Sequence, residues 1–378
     1  MGIFFVVLSV VMWLAVVSLP WRPWSTRERL AVDPAAPHRK LDDITVLIPA
    51  RDEETCIAKT LTLLQAQGQF ARIVVIDDQS EDGTRETINQ QNIDTLKLVE
   101  GSAPPEGWSG KLWALEQGLK HCDSNFVLLL DADIGLKPGT VSALLTQLET
   151  SESDMASLMA NLHMQQFWEK LLLPPFVYFF KLIYPFALVN SPRSSVAAGA
   201  GGCVLIKSSK LHEIGGFSAL KDAIIDDCTL AQKVKESPGR IWIGLSNDAY
   251  AIRPYSTLSN IWNMVARTAY TQLRYSPSLL IACTVLLLLS YVVPIGALIF
   301  GTGSMRLLAV VCLVAMVGSY VPTIRYYKLP LYWAFSLPLA AVLFLGMTWT
   351  SAIRYSRGER ARWKNRSYAR AVSTSTEK

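Results

Sequence analysis

Long apolar runs sit at the two ends of the chain, and short ones separated by polar segments fill the stretch between. Residues 3–19 carry no charge and close on Pro20-Trp21-Arg22-Pro23-Trp24, with Arg27 and Arg29 just beyond. No Lys or Arg precedes this run and Trp and Arg follow it, which fits an uncleaved anchor better than a signal peptide. Near the other end, residues 279–300, 307–324 and 329–353 are each about long enough to cross a bilayer.

The central pattern alternates between short apolar runs and helical periodicity. Residues 44–48, 72–77, 95–99 and Phe126–Leu130 read as strands, with helices predicted over 53–67, 85–91 and 112–120. That alternation implies an α/β domain with a mostly parallel, doubly wound sheet, whose ligands bind at the carboxyl ends of the strands. The acidic segments keep to that edge: Asp52-Glu53-Glu54 follows the first strand, Asp77-Asp78 the second, and Asp131 and Asp133 the fourth. Asp131 and Asp133 flank Ala132 where the apolar run ends, so an extended strand end would project both carboxylates to one side. Like charges that close call for a cation, and a hard divalent ion sharing its shell with phosphates is the natural one. A solvated turn that happens to hold two aspartates is the plainer alternative.

From Phe167 the character changes. Residues 167–190 are aromatic, hold Pro174, Pro175 and Pro185, and carry Glu169, Lys170 and Lys181. Such a segment suits the membrane interface rather than a crossing, with a buried helical insert as the other possibility. Gly199, Gly201 and Gly202 lack dinucleotide-fingerprint spacing and would let the backbone approach a ligand closely. Asp226 and Asp227 fall at a predicted helix start, where a capping role would also explain them. A strand over 240–245 and an amphipathic helix over 258–274 complete the domain.

Composition narrows the classes. The 378 residues are 51% hydrophobic and carry a net charge of +5, much of it in arginines and lysines flanking the apolar runs. That placement suits anionic lipid head groups and gives no aromatic-basic surface for nucleic acid. From six scattered cysteines with no C-x-x-C neither a disulfide framework nor a zinc site follows, and the four histidines are equally dispersed.

With these residues in place, the chain resembles a family 2 glycosyltransferase of the GT-A fold. Five blocks carry the resemblance: Val46-Leu-Ile-Pro-Ala-Arg-Asp-Glu-Glu54, Val74-Val-Ile-Asp-Asp-Gln-Ser-Glu-Asp-Gly-Thr84, Gly107-Trp-Ser-Gly-Lys-Leu-Trp-Ala-Leu115, Leu130-Asp-Ala-Asp133, and Gly201-Gly-Cys-Val-Leu-Ile-Lys with Gly215-Gly-Phe217 and Asp226-Asp227. The membrane layout and the Gly-Trp-Ser-Gly-Lys block are most similar to the bacterial glycosyltransferase associated with hopanoid biosynthesis. The resemblance implies transfer of a sugar, with inversion, from a nucleotide-diphosphate sugar (a UDP-sugar by family tendency) to a membrane lipid, with Mg²⁺ or Mn²⁺ as cofactor. It places Pro49, Ala50, Arg51 and Glu53 along the nucleotide base and ribose, Asp78 at the base and Lys111 at the diphosphate. Asp131 falls near the ribose or sugar and shares the D-x-D with the metal ligand Asp133. Asp227 matches the catalytic base, and Asp226 stands where Glu is usual. Polymerising members carry Gln-x-x-Arg-Trp; here Arg267 is kept while Met264 and Thr268 hold the Gln and Trp places, which favours single transfer over processive synthesis. A non-catalytic nucleotide-sugar-binding membrane protein is the reading left if the carboxylates do no chemistry.

The expected organisation is an anchor over 1–21, a linker over 22–43, and a GT-A domain over 44–275 with its interfacial segment at 167–190. Membrane helices over 279–353 and a basic tail over 354–378 follow. The resemblance puts the chain in the bacterial inner membrane as a multi-pass protein with the catalytic domain in the cytoplasm. Arg22, Arg27 and Arg29 agree with that side, but four full crossings would put the basic tail outside, so one run is expected to be re-entrant.

Overall fold

A computed structural model describes residues 2–33, 39–363 and 366–369, with side chains through residue 359. Residues 34–38 of the linker (with His38) and residues 364–365 and 370–378 of the basic tail lie outside the described residues, as do the side chains of Arg360, Arg362, Lys364 and Arg366. The chain divides into two compact units: Trp21–His163 with Phe179–Pro254, and Met1–Pro20 with Met164–Tyr178 and Tyr255–Lys378. Residues 255–275, assigned to the catalytic domain from sequence, thus fall in the unit that holds the apolar helices.

The first unit is built on one eight-stranded sheet. Its strands are β1 (Leu41–Ala50), β2 (Phe70–Asp77), β3 (Leu96–Glu100), β4 (Phe126–Leu130), β5 (Ile134–Leu136), β6 (Met155–Asn161), β7 (Cys203–Lys207) and β8 (Ile241–Ala251). They lie in the order β3-β2-β1-β4-β7-β6-β8-β5. The strands anticipated from the N-terminal half pair in parallel, β3 on β2, β2 on β1 and β1 on β4. Beyond β4 the sheet becomes mixed: β7 runs antiparallel to both β4 and β6, β6 is parallel to β8, and β5 is antiparallel to β8. Both faces are covered, so β1 is buried without interruption from Ile44 to Ala50. Val46, Ile48, Val75, Leu128 and Leu205 meet Leu61, Leu64, Leu144 and Leu148 of the flanking helices in the main core. Each such side chain contributes roughly 1.5–3 kcal/mol of apolar burial.

Two predicted helices are shortened for local reasons. The helix expected from Glu53 begins at Ile57, because the Glu53 N–H donates to Thr84 Oγ1 (2.8 Å) and residues 53–56 form a turn. The helix expected over 258–274 is two pieces, Leu258–Ala266 and Ala269–Gln272, and ends on Arg274 and Tyr275 with φ of 52° and 55°. Strands β5 and β6 and the helix Thr140–Thr150 between them were not anticipated. β5 is only three residues long, too short to show a period.

In the other unit, Pro277–Phe300, Ser304–Tyr326 and Leu331–Ser356 are long and apolar enough to cross a membrane, whereas Gly2–Ser18 is a shorter apolar helix. Its 17 residues span about 26 Å at 1.5 Å per residue. Trp13 Nε1 donates to the Ser290 carbonyl (2.8 Å), and Tyr178 and Ser319 share a hydroxyl hydrogen bond of 2.8 Å. The segment from Phe167 forms a helix to Ile183 that runs through Pro174 and Pro175. Leu171, Leu172, Leu173 and Val177 are buried, while Phe167 and Ile183 at its ends are exposed.

Candidate functional site

The site collects where β4 meets β7, the seam between the parallel and antiparallel parts of the sheet. Leu130 pairs with Cys203, and just beyond that pair the Asp131 N–H donates to the Gly202 carbonyl (3.1 Å). The strand does not continue as an extended end. Asp131-Ala132-Asp133 turns, closed by the Ile134 N–H on the Asp131 carbonyl (3.1 Å), and leads into β5. The two aspartates therefore do not share one cation among the described side chains. Each has its own.

Asp131 faces Lys111. The helix Gly110–Leu119 starts at Ser109, whose side chain accepts from the Leu112 N–H, and this sets Lys111 in its first turn. Lys111 Nζ lies 2.9 Å from Asp131 Oδ1 and 3.0 Å from Asp226 Oδ2, joining the β4 end and the start of the later helix in one ion triad. Burial works against its charge, but the two carboxylates outweigh it and hold Lys111 above the usual lysine range. Burial pushes the Asp131 carboxyl up, Lys111 pulls it down and Asp133 adds to the rise.

Asp226 and Asp227 open the helix Asp226–Glu236. Both oxygens of Asp227 accept from backbone, Oδ2 from Gly201 (2.8 Å) and Oδ1 from Cys228 (2.7 Å). Its carboxyl is pushed up to about 6, by burial first and by Asp226 second, with Lys111 and the two N–H groups opposing. A cavity at this place is lined by Pro49, Lys111, Asp131, Gly201, Asp226 and Asp227, over an apolar floor that includes Leu115, Leu129 and Phe217. The glycines matter here: a Cβ on Gly199 would stand 2.9 Å from the Asp227 carbonyl oxygen.

Asp133 faces Arg253, a residue the sequence did not single out. The β8 end holds it in place: Ala251 pairs with Ile134, and the Ile252 N–H donates to the Asp133 carbonyl (2.7 Å). Arg253 Nε is 3.7 Å from Asp133 Oδ2, and Nη2 pairs with the buried Glu53 carboxylate. Nothing local marks Arg253; its position depends on the β5–β8 register.

The remaining candidates form a laced loop at the ends of β1 and β2. Ala50 ends β1 opposite Asp77, and Asp78, fully buried, donates its N–H to the Ala50 carbonyl (2.7 Å). Arg51 Nη1 returns to the Asp78 carbonyl at 2.6 Å. Asp77 pairs with Arg85, and the Asp52 carboxylate accepts from the Glu81 N–H (2.9 Å). Several acids of the expected rim are thus used inside the loops. Asp131, Asp226 and Asp227 with Lys111 make one cluster, and Asp133, Glu53 and Arg253 make the other.

Among the described residues no group of three or more His, Cys, Asp or Glu side chains gathers as a metal site. Asp133 keeps a partly open carboxylate, and its cation stands at 3.7 Å with no hydrogen bond from Nε. An oxygen-seeking ion fits there only if another oxygen source, such as a diphosphate, completes its shell.

Residues 45–215 match the family model described as Glycosyl transferase family 2. The 4,4'-diaponeurosporenoate glycosyltransferase of Staphylococcus haemolyticus (strain JCSC1435) is 28% identical over 113 residues, 30% of this chain and 30% of that protein. The Bacillus subtilis (strain 168) protein named "Probable glycosyltransferase YdaM" is 32% identical over 100 residues, 25% of this chain and 24% of its own length. The chain thus covers under a third of the curated relatives it matches. Among solved structures, the mannosyltransferase PcManGT from Pyrobaculum calidifontis, in complex with GDP-Man and Mn²⁺, superposes with a TM-score of 0.55 at 17% identity. That match covers 90% of this chain and 99% of the other. The likeness is one of fold, and with the mixed, helix-flanked sheet it identifies the GT-A architecture expected from sequence, with apolar helices at both ends.

Proposed function

We propose that the chain is an inverting glycosyltransferase that moves a sugar from a nucleotide-diphosphate sugar to the hydroxyl of a membrane lipid. The observation that carries this reading is Asp227, a carboxylate raised to about 6 and aimed by two backbone N–H groups in the cavity that also holds Lys111 and Asp131. A base with a pKa near working pH is well matched to taking a hydroxyl proton during attack on the anomeric carbon. Asp226 and Asp131 hold Lys111 charged, which suits it to face a diphosphate. Pro49, Ala50, Arg51, Glu53 and Asp78 form the loop along which a nucleotide base and ribose would lie. Asp133, with Asp131 beside it, would hold Mg²⁺ or Mn²⁺, which stabilises charge on a departing diphosphate as a Lewis acid.

Three helices of membrane-crossing length support a lipid acceptor and a multi-pass membrane location. A curated relative named for 4,4'-diaponeurosporenoate glycosylation and a neighbour bound to GDP-Man and Mn²⁺ support the donor class and the metal. An acceptor in hopanoid biosynthesis is the specific form of the proposal. The test supplies the full chain, in vesicles of its host's lipids, with radiolabelled UDP- and GDP-sugars. Label should pass into the lipid phase, and Asp227→Asn should bind donor yet transfer at least about 100-fold more slowly. Near-normal transfer by Asp227→Asn would remove it as the base.

A further inference from the structure

The apolar helices of the second unit can be aligned turn by turn. A Cβ on Gly2 would stand 3.0 Å from Met305 Cε, Val6 clusters with Ala309, and Ser9 Oγ lies 3.5 Å from Cys312 Sγ. Gly2–Ser18 and Ser304–Tyr326 therefore run side by side in the same direction. Val6 also meets Ala297, and Trp13 reaches the Ser290 carbonyl, so Pro277–Phe300 runs the opposite way. At 1.5 Å per residue, Tyr326 stands about 7 Å and Pro277 about 12 Å beyond the level of Ser18. These ends define one face of the bundle, the near face; Gly2, Phe300 and Ser304 lie at the far face.

Both ends of Leu331–Ser356 belong to the near face. Its start follows Tyr326 across a reversal, with Lys328 at φ 55° and the Leu329 N–H on the Ile324 carbonyl (3.0 Å). Trp333 then packs on Phe167 (5.7 Å), close to Glu169, which accepts from the Tyr255 N–H ahead of Pro277. Its end is tied to the same stretch. Thr350 Oγ1 accepts from Trp262 Nε1 (3.1 Å), Ser351 Oγ from the Tyr270 N–H (3.1 Å), and Tyr355 stacks on Tyr275 at 4.3 Å. Trp349 Nε1 donates to Thr284 Oγ1 (3.0 Å), a residue about level with Ser18. A crossing of roughly 30 Å would instead have carried Ser351 to the level of Gly2. Midway the helix packs against Leu288–Val292, so it dips into the bundle and returns. Its outer side is one apolar stripe: Tyr332, Phe335, Leu339, Val342, Trp349 and Ile353 are all 41–72% exposed at helical spacing. Arg325 and Lys328 stand before it and Arg354 and Arg357 after it, basic flanks that suit two ends on one side.

We infer that Leu331–Ser356 enters and leaves the membrane by the near face, with its exposed stripe against the lipid of that one leaflet. The chain beyond it then stays on the near side, and this helix is the re-entrant run. The inference rests on the membrane location proposed above.

The experiment places an epitope after Lys378 in one full chain and between Thr302 and Gly303 in another. Each is exposed to protease in sealed right-side-out and inverted vesicles. The two epitopes should be lost from opposite vesicle types, each protected where the other is removed. Where the inserted epitope prevents folding, Thr302→Cys takes its place, read with a membrane-impermeant maleimide and located by mass spectrometry. Loss of both from the same vesicle type means that Leu331–Ser356 crosses, and overturns the inference while leaving the membrane location standing. Release of the untagged chain by alkaline carbonate overturns both together. In the same vesicles an apolar carbene-generating photolabel should mark Leu339 and Val342 as it marks Leu286, an exposed residue of Pro277–Phe300. Leu339 and Val342 left unmarked beside a marked Leu286 would overturn the contact with lipid.

Discussion

Asp227→Asn should remove a pH-dependent loss of stability that belongs to this one site. In the folded chain the carboxyl sits at about 6, against 3.8 for the ordinary group. A raised acid is easier to keep neutral folded than unfolded. Its contribution is therefore fully favourable below the ordinary value, declines as pH rises from about 4 to about 6, and stays at its low level above. The gap of about two pKa units corresponds to roughly 3 kcal/mol. Asn does not titrate, but its amide can accept from only one of the two N–H groups now served by Oδ1 and Oδ2, which costs about 1–3 kcal/mol at every pH. Removing the charge also eases the facing carboxylate Asp226, already paired with Lys111, so the titration belongs to the cluster. The assay is denaturant unfolding in detergent, followed by tryptophan fluorescence from pH 4 to 8. The stability of Asp227→Asn minus that of wild type should climb by roughly 3 kcal/mol across pH 4–6 and then level off. A difference that stays flat, or that falls with pH, would refute the assignment of the raised carboxyl to Asp227.

Gly199→Ala should destabilise the chain by about 1–3 kcal/mol, since its Cβ would press on the Asp227 carbonyl oxygen at 2.9 Å and on Met155 Cε at 3.1 Å; a wild-type unfolding midpoint would show that the helix start can give way. Glu169 is fully buried and accepts from the N–H groups of Gln165 and Gln166 (both 2.9 Å) and Tyr255 (3.0 Å), so Glu169→Ala should lower stability by about 3 kcal/mol or more. Thermal unfolding in detergent checks it, and a shift of under a degree would count against the three bonds. Asp133→Asn should abolish transfer and the divalent dependence of nucleotide binding while leaving the unfolding midpoint near wild type; full activity in excess chelator would contradict it.

How much was legible follows from where each pairing lies in the chain. β1, β2 and β4 were readable because each holds an unbroken apolar run bounded by polar residues, and β3 because the alternation of strand and helix continues through it, although β1 meets β4 across 82 positions, Ile44 on Phe126. The D-x-D was found from the end of the apolar run Phe126–Leu130, but its geometry was not. An extended end was expected and a turn is present, because Asp131 spends its N–H on Gly202 and its carbonyl on Ile134. Lys111 entered only through the family block; nothing in its neighbours shows that it will meet Asp131 and Asp226. Arg253 was invisible for the same reason in stronger form. It reaches Asp133 only through the pairing of a three-residue strand with the end of an eleven-residue one, and local pattern holds no trace of that register.

That register also sets a schedule. β5 lies at the sheet's edge, where among the described residues it pairs only with β8, Ile134 on Ala251, 117 positions later in the chain. At a synthesis rate of about 5–20 residues per second, Asp133 leaves the ribosome roughly six to twenty seconds before its partner strand does. β1 to β4 can associate during that interval, whereas the turn bearing Asp133 has no edge to lie against. A chain truncated before residue 249 should therefore hold its first four strands and lack an ordered D-x-D. The turn bearing Asp133 gains its partner near the end of the first unit, only some two dozen residues before the first of the three long apolar helices begins at Pro277.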